Sequence, residues 1–310
     1  MKVNILLSTY NGERFLAEQI RSIQDQTFSD WTLLIRDDGS KDQTRQIIEE
    51  FVREDDRIRF INPDDVTNVG VIKSFHALVK YETADFYFFS DQDDVWLPEK
   101  MQMCLDEADL YPSQEPLMVY TDLTVVNQDL EVLAESMIRS QSHHANTELV
   151  QELTENTVTG GVSLVNHALA ELWDGTEDVI MHDWYLALLA TALGKLVYID
   201  SPGELYRQHD ANVLGARTLS KRVQKWIRPH LLFSSYWDLI KRSQKQAELL
   251  LSQVISEEDR NLVQAFVSIM DKPLLQRYQT LKKFGLRKNK AFHTFVFSTL
   301  IITKFAYVKE

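Results

Sequence analysis

Through the first third of the chain, short apolar runs alternate with stretches whose apolar positions recur at helical spacing. The runs predict strands at Val3–Ser8, Trp31–Arg36, Ile58–Asn62 and Asp85–Ser90. The spaced stretches predict helices at Glu13–Gln26, where Phe15, Ile20 and Ile23 are apolar, at Asp42–Arg53 and at Val71–Lys80. Such alternation implies an α/β fold with a mostly parallel sheet covered by helices. Residues 117–126 and 195–200 read as further strands, and Ala168–Trp173 and His182–Ala192 as helices. Gly160-Gly161 marks a turn or a tight approach of two segments. From about Arg217 the chain becomes rich in helix formers and basic residues. A boundary at about residue 216 is expected, with an α/β domain at 1–216 and a helical subdomain at 217–310.

In sheets of this kind ligands sit beyond the carboxyl ends of the strands. Three polar clusters fall there: Ser8-Thr9-Tyr10-Asn11, Asp37-Asp38-Gly39-Ser40 and Ser90-Asp91-Gln92-Asp93-Asp94. The carboxylates of Asp91, Asp93 and Asp94 repel one another unless a cation offsets them. Hard oxygen ligands at a strand end suit Mg²⁺ or Mn²⁺, ions that leave room for substrate phosphates. A solvated turn leading into a helix start at Pro98-Glu99 is the plainer reading, and placement at a third strand end favours the metal. Gly39, Ser40 and Asp42 are explained by a turn and a helix cap. The Asp37-Asp38 pair is not, and a carboxylate there can accept the ring N–H of a pyrimidine base.

Two later segments carry candidate chemistry. In His182-Asp183-Trp184, Asp183 either caps its helix or takes a proton from an attacking hydroxyl, and Trp184 either packs in the core or stacks on a sugar. In Tyr206-Arg207-Gln208-His209, the imidazole can complete the shell of a borderline metal and Arg207 can clamp a diphosphate.

Taken in order, these motifs closely resemble those of inverting family-two glycosyltransferases of the GT-A fold, over residues 3–212. The set is Ser8–Asn11, Gln26-Thr27, Asp37–Ser40, Asn68-Val69-Gly70, Asp91–Asp94, Thr159-Gly160-Gly161, His182–Trp184 and Tyr206–His209. The resemblance implies that Ser8 and Tyr10 line the nucleotide site and Asp38 contacts the base. It implies that Lys73 reaches base or phosphate, Asp91 the ribose side, and Arg207 the diphosphate. Asp93 and His209 would hold Mn²⁺ or Mg²⁺, Asp183 would be the base, and Gly160, Gly161 and Trp184 would face the acceptor.

The forms Ser90–Trp96 and Tyr206–Asn212 are similar to those of bacterial rhamnosyltransferases, most narrowly the streptococcal enzymes that build cell-wall rhamnan on a lipid carrier. That implies dTDP-β-L-rhamnose as donor, a lipid-linked saccharide as acceptor and an α-1,3-linked product. A UDP-sugar-dependent hexosyl or N-acetylhexosaminyl transferase is the alternative, and a non-catalytic nucleotide-binding module is one of a different class. No G-x-G-x-x-G follows the first strand, which disfavours a dinucleotide-dependent oxidoreductase.

Composition adds a compartment and a surface. The 310 residues include one cysteine, Cys104, which excludes an internal disulfide and suits a reducing compartment. The apolar start is too short for a signal-peptide core, so a cytoplasmic location is expected. Residues 1–216 hold 39 acids against 15 bases, and residues 217–310 hold 7 against 18. Around Trp226, an apolar face with Val223 and Ile227 opposes a basic one with Lys221, Lys225 and Arg228, as suits an anionic membrane surface. Ala291–Val308 is apolar but too short to span a bilayer. Contact with the inner face of the cell membrane, close packing on the catalytic body and a homodimer interface are the readings of this tail. No nucleic-acid partner is expected.

Overall fold

The computed structural model describes residues 1–209 and 229–308. Its strands are β1 (Val3–Thr9), β2 (Trp31–Asp37), β3 (Ile58–Phe60), β4 (Phe86–Ser90), β5 (Val95–Trp96), β6 (Leu117–Val126), β7 (Val132–Ala134), β8 (Ser163–Asn166) and β9 (Lys195–Arg207). Among these lie the helices α1 (Leu16–Gln24), α2 (Thr44–Glu54), α3 (Val71–Tyr81), α4 (Lys100–Ala108), α5 (Leu149–Glu152), α6 (His167–Glu171) and α7 (His182–Leu193). Beyond β9 come α8 (Pro229–Glu248), α9 (Glu257–Val267), α10 (Leu274–Phe284) and α11 (Ala291–Thr303).

The strands form one sheet in the order β3-β2-β1-β4-β8-β6-β9-β5, with β7 paired to β6. The first four pair in parallel, as the alternation predicted, and β6 pairs parallel with β9. The short strands β8 and β5 run antiparallel to their neighbours, which makes the sheet mixed. The α/β fold with a mixed sheet is therefore built as expected.

Side chains on successive strand positions face opposite ways, so each inner strand feeds two cores. Leu6, Leu34, Phe89, Met118 and Val165 join the core under α3, α6 and α7. Ile5, Leu7, Ile35, Phe88 and Val119 join the core under α1, α2 and α4. Burial on both faces is why these strands read as largely apolar runs, broken in β1 by Asn4 and in β2 by Thr32.

The C-terminal helices share the first of these cores through Trp237, Ile240, Phe266, Leu281, Phe297 and Leu300. The backbone N–H of Ile180 donates to Gln246 Oε1 at 2.7 Å, and Thr154 Oγ1 donates to the Arg287 carbonyl at 2.6 Å. The tail thus packs closely on the α/β body. The boundary at residue 216 and the amphipathic segment around Trp226 lie outside the described residues.

Candidate active site

Register aligns the strand ends. Thr9 pairs with Asp37 and Leu7 with Ser90, so the three polar clusters emerge at one edge of the sheet. They line a cleft of about 1150 Å³ that continues past Gly160 to Asp183 and Trp184. Ser8, Tyr10, Asp38, Asp91 and Asp93 stand in the first half; Gly160, Asp183, Trp184 and His209 also line it.

In the first half, both aspartates of the Asp37-Asp38 pair have local work. Asp37 is fully buried and accepts from Thr9 Oγ1 at 3.1 Å and from the Ser40 amide at 2.9 Å. Asp38 accepts from Arg36 at 2.7 Å, from the Val69 amide at 2.7 Å and from the Gly70 amide at 2.9 Å. Local structure therefore explains the pair that sequence reasoning left unexplained. Three of Asp38's roughly four lone-pair positions are taken, which leaves about one toward the cleft. The turn it grips needs glycine twice: Gly70 has φ of +85°, and at Gly39 (φ +82°) a Cβ would lie 2.6 Å from the Val66 carbonyl. Asp42 takes the Thr44 amide at 3.0 Å from just outside α2, so it braces the helix start, although Gln43 occupies the capping position.

Gln92, between the two key aspartates, ties the first and third clusters together. Its side chain accepts from the Tyr10 amide at 2.8 Å and donates to the Tyr10 carbonyl at 3.0 Å. Sequence reasoning passed over it because a glutamine in an acidic run carries no signal of its own. Gln26 braces the same region from below, donating to the Leu97 carbonyl at 2.8 Å and accepting from the Met101 amide at 3.1 Å.

The acids are crowded. Burial, with the charges of Asp93, Glu204 and Asp183, raises Asp91 to about 8. Asp94 is fully buried and held well above the carboxylate range by burial and by Glu204, while accepting from the Arg207 amide at 2.8 Å. His209 Nε2 lies 2.7 Å from Asp93 Oδ2. This pair fits a divalent cation, because an imidazole nitrogen and a carboxylate oxygen converge where several acids need neutralising. No third His, Cys, Asp or Glu joins them in ligating geometry among the described residues. Such a two-ligand site leaves coordination positions for phosphate oxygens and water.

Two expected donor-site residues stand elsewhere. Lys73 is exposed on α3 and does not line the cleft; the cation at Asp38 is Arg36. Arg207 does not line the cleft either. Its guanidinium is buried behind the acidic loop, donating to the carbonyls of Asp93 at 2.8 Å and Gln128 at 2.6 Å, pairing with Glu18 and lying 4.4 Å from the Phe15 ring centre. Those donors are spent on protein groups, so the arginine holds the acidic loop in place rather than clamping a diphosphate.

Gly160 lines the cleft and Gly161 lies buried behind it. A Cβ on Gly160 would lie 2.8 Å from His182 Nε2 and 3.9 Å from Asp183 Cβ. One on Gly161 would lie 2.8 Å from Glu204 Oε1 and 3.3 Å from Asp91 Oδ2. Gly161 itself is buried and its carbonyl accepts from Lys100, whose ammonium also pairs with Glu204 at 3.0 Å. Sequence reasoning missed this buried pair because its members are 104 residues apart.

Asp183 opens α7 at the cleft wall, and burial raises it to about 6. His182 packs between Phe75 and Phe89 and is lowered to about 3 by burial, so its ring stays neutral. Trp184 is mainly a core residue with its N–H bonded to the Glu152 carbonyl at 2.7 Å, though one edge reaches the cleft.

Residues 4–156 match the model of glycosyl transferase family 2. Residues 4–156 are thus a family 2 glycosyltransferase domain. The chain is 29% identical over 232 residues to the dTDP-rhamnosyl transferase RfbG of Shigella flexneri, covering 71% of this chain and 77% of that one. Over 101 residues it is 34% identical to the UDP-Glc:alpha-D-GlcNAc-diphosphoundecaprenol beta-1,3-glucosyltransferase WfgD of Escherichia coli, covering 33% of this chain and 38% of that one. The structure of S. aureus TarS 1-349 in complex with UDP-GlcNAc superposes with a TM-score of 0.58 at 17% identity, covering 92% of this chain and 80% of that one. That last likeness establishes the GT-A fold of the transferase.

Proposed function

We propose that the protein moves L-rhamnose from dTDP-β-L-rhamnose to a hydroxyl of a lipid-linked saccharide, with inversion, giving an α-1,3-linked product in cell-wall polysaccharide synthesis. The observation that carries an inverting transfer is the position of Asp183. It is a buried carboxyl raised to about 6, set across the glycine pair from Asp91 in one cleft.

In this reading the nucleotide lies along Ser8, Tyr10 and Asp38, with the ribose toward Asp91. Asp183, ionised at neutral pH yet more basic than an ordinary carboxylate, takes the proton of the acceptor hydroxyl. The new bond to the anomeric carbon forms as the bond to the diphosphate oxygen breaks, on the opposite face, and the nucleoside diphosphate departs. A single base without a carboxylate nucleophile matches inversion. A divalent cation, Mn²⁺ or Mg²⁺, held by Asp93 and His209 would offset charge on the departing diphosphate. Gly160, Gly161 and Trp184 shape the acceptor side.

Rhamnose as the sugar is supported by the likeness to RfbG and by the forms Ser90–Trp96 and Tyr206–Asn212. A lipid-linked acceptor is supported by the printed substrate of WfgD. No described helix is long and apolar enough to cross a membrane. Contact with the inner membrane surface is supported by Phe292 and Phe295, exposed on α11 beside Lys290 and Arg287.

Turnover assays with dTDP-rhamnose and, separately, UDP-glucose, UDP-galactose and UDP-N-acetylglucosamine test the donor, using a lipid-linked oligosaccharide primer and mass analysis of product. A deoxyhexose mass increment is expected from dTDP-rhamnose alone. Transfer from a UDP-sugar without rhamnose transfer would replace this reading with the hexosyl or N-acetylhexosaminyl alternative.

A further inference from the structure

The cleft has a wall that the catalytic domain does not make. The loop between α10 and α11 reaches back and docks on the segment around Thr154. Besides the bond from Thr154 to Arg287, the Asn289 amide donates to Glu155 Oε2 at 2.8 Å and Asn289 Nδ2 to the His144 carbonyl at 3.4 Å. Between them Lys288 lines the cleft, with Glu155, Asn156 and Thr157 beside it.

We propose that Lys288 binds the phosphate group that joins the acceptor saccharide to its lipid carrier. Among the described residues the ammonium donates one hydrogen bond, to the Thr154 carbonyl, and lies 5.6 Å from the Phe297 ring centre. An ammonium has three N–H groups, so two remain for a ligand. A compact, rotatable cation suits phosphate oxygens.

Its surroundings favour an anion. Burial lowers the pKa of Lys288, so its charge is poorly solvated and gains from a counter-ion. Of its two acidic neighbours, Glu155 accepts from the Asn289 amide, and burial holds Glu152 well above the carboxylate range. Arg14, the other lysine or arginine among the described lining residues, lies toward Gln128 and Phe15.

Two further features set the ligand class. Lys288 and Asp183 line the same cleft, so the cation shares it with the base that activates the acceptor hydroxyl. The lining also includes Met137, Ile138 and Leu239, apolar side chains with little use for a free sugar. A sugar hydroxyl at Asp183, a phosphate at Lys288 and a lipid stem against the apolar side chains describe one end of a lipid-linked saccharide.

This inference rests on the proposed lipid-linked acceptor, and the test separates the two. The same acceptor sugar is offered as a short-chain alkyl diphosphate and as a neutral methyl glycoside, at saturating donor. For Lys288→Gln, KM for the diphosphate acceptor should rise roughly 10- to 100-fold, the loss expected when a charge-assisted contact goes. Its kcat, its donor KM and its kinetics on the methyl glycoside should stay unchanged, and Lys288→Arg should recover most of the loss. Lys288→Met, which keeps the stem against Phe297, serves if the glutamine variant unfolds. The wild-type preference for the diphosphate acceptor requires no variant at all. Equal losses on both acceptors, an unchanged KM for the diphosphate, or no wild-type preference overturns the role of Lys288 while leaving the transferase intact. Failure of the wild-type protein to glycosylate either acceptor overturns the proposed function and this inference together.

Discussion

Asp93 and His209 stand 116 residues apart in the chain, and their side chains meet at 2.7 Å. The contact joins the third strand-end cluster to the chain just beyond β9, at the point where the acids are most crowded. Chelator should therefore abolish transfer, and added Mn²⁺ or Mg²⁺ should restore it. Asp93→Ala and His209→Ala should each lower kcat by roughly 100-fold or more, as losses of transition-state charge stabilisation do. Calorimetric titration with Mn²⁺ should show weakened binding in both. Full activity in excess chelator would remove the metal from the mechanism.

Asp183→Asn should keep donor binding and lose roughly 10²- to 10⁴-fold in kcat, the usual worth of a general base. In the wild-type protein, activity should fall on the acid side with an apparent pKa of about 6, because below it Asp183 is protonated and cannot accept a proton. The same shift acts on stability. A carboxyl raised from 3.8 to about 6 in the fold stabilises below the lower value and loses that contribution as pH rises through the higher one. The asparagine variant should thus melt above wild type at pH 8, and the gap should close toward pH 4. Thermal scans across that range would check it.

Gly161→Ala puts a methyl group 2.8 Å from Glu204 and 3.3 Å from Asp91. Overpacking of this kind costs roughly 1–3 kcal/mol. The melting temperature should fall, and because the displaced groups include Asp91, KM for the donor should rise as well. An alanine variant with wild-type stability and kinetics would show that the close approach does not matter.

Arg207 separates two readings by which quantity changes. As a buried brace, its loss to alanine should cost roughly 1–3 kcal/mol of stability for each carbonyl left unpaired. Lysine should not rescue it, because a point cation cannot reach the Asp93 and Gln128 carbonyls and Glu18 at once. Denaturant melts of both variants measure this. Unchanged melts with a raised donor KM would return the arginine to the diphosphate.

Much of the molecule was legible in the chain. Val3, Ile5, Leu6 and Leu7 read as a strand because a strand buried on both faces is apolar at nearly every position, Asn4 being the buried exception. The same holds for the runs at Trp31 and Phe86, and α1, α2 and α3 announced themselves by their spacing. Their strand-end clusters could be placed on one edge because parallel strands joined by helices all present the same end. Asp183 was singled out by the resemblance of its motif, and the fold places it on the cleft wall.

Partnership was not legible, because it depends on which distant segments the fold brings together. Arg207 reads alike whether its fork faces a diphosphate or the carbonyls behind the acidic loop, and only packing turned it inward. Lys73 lies on α3 near the site in sequence, yet the helix presents it to solvent. Lys288 sits among other lysines with nothing to distinguish it, and becomes a wall of the cleft because its loop lands on Thr154, 134 residues earlier. Local pattern determined the strands, the helices and the edge where chemistry gathers. Tertiary structure decided which charges face the cleft and which hold it open, since burial and long-range contact are properties of the folded chain.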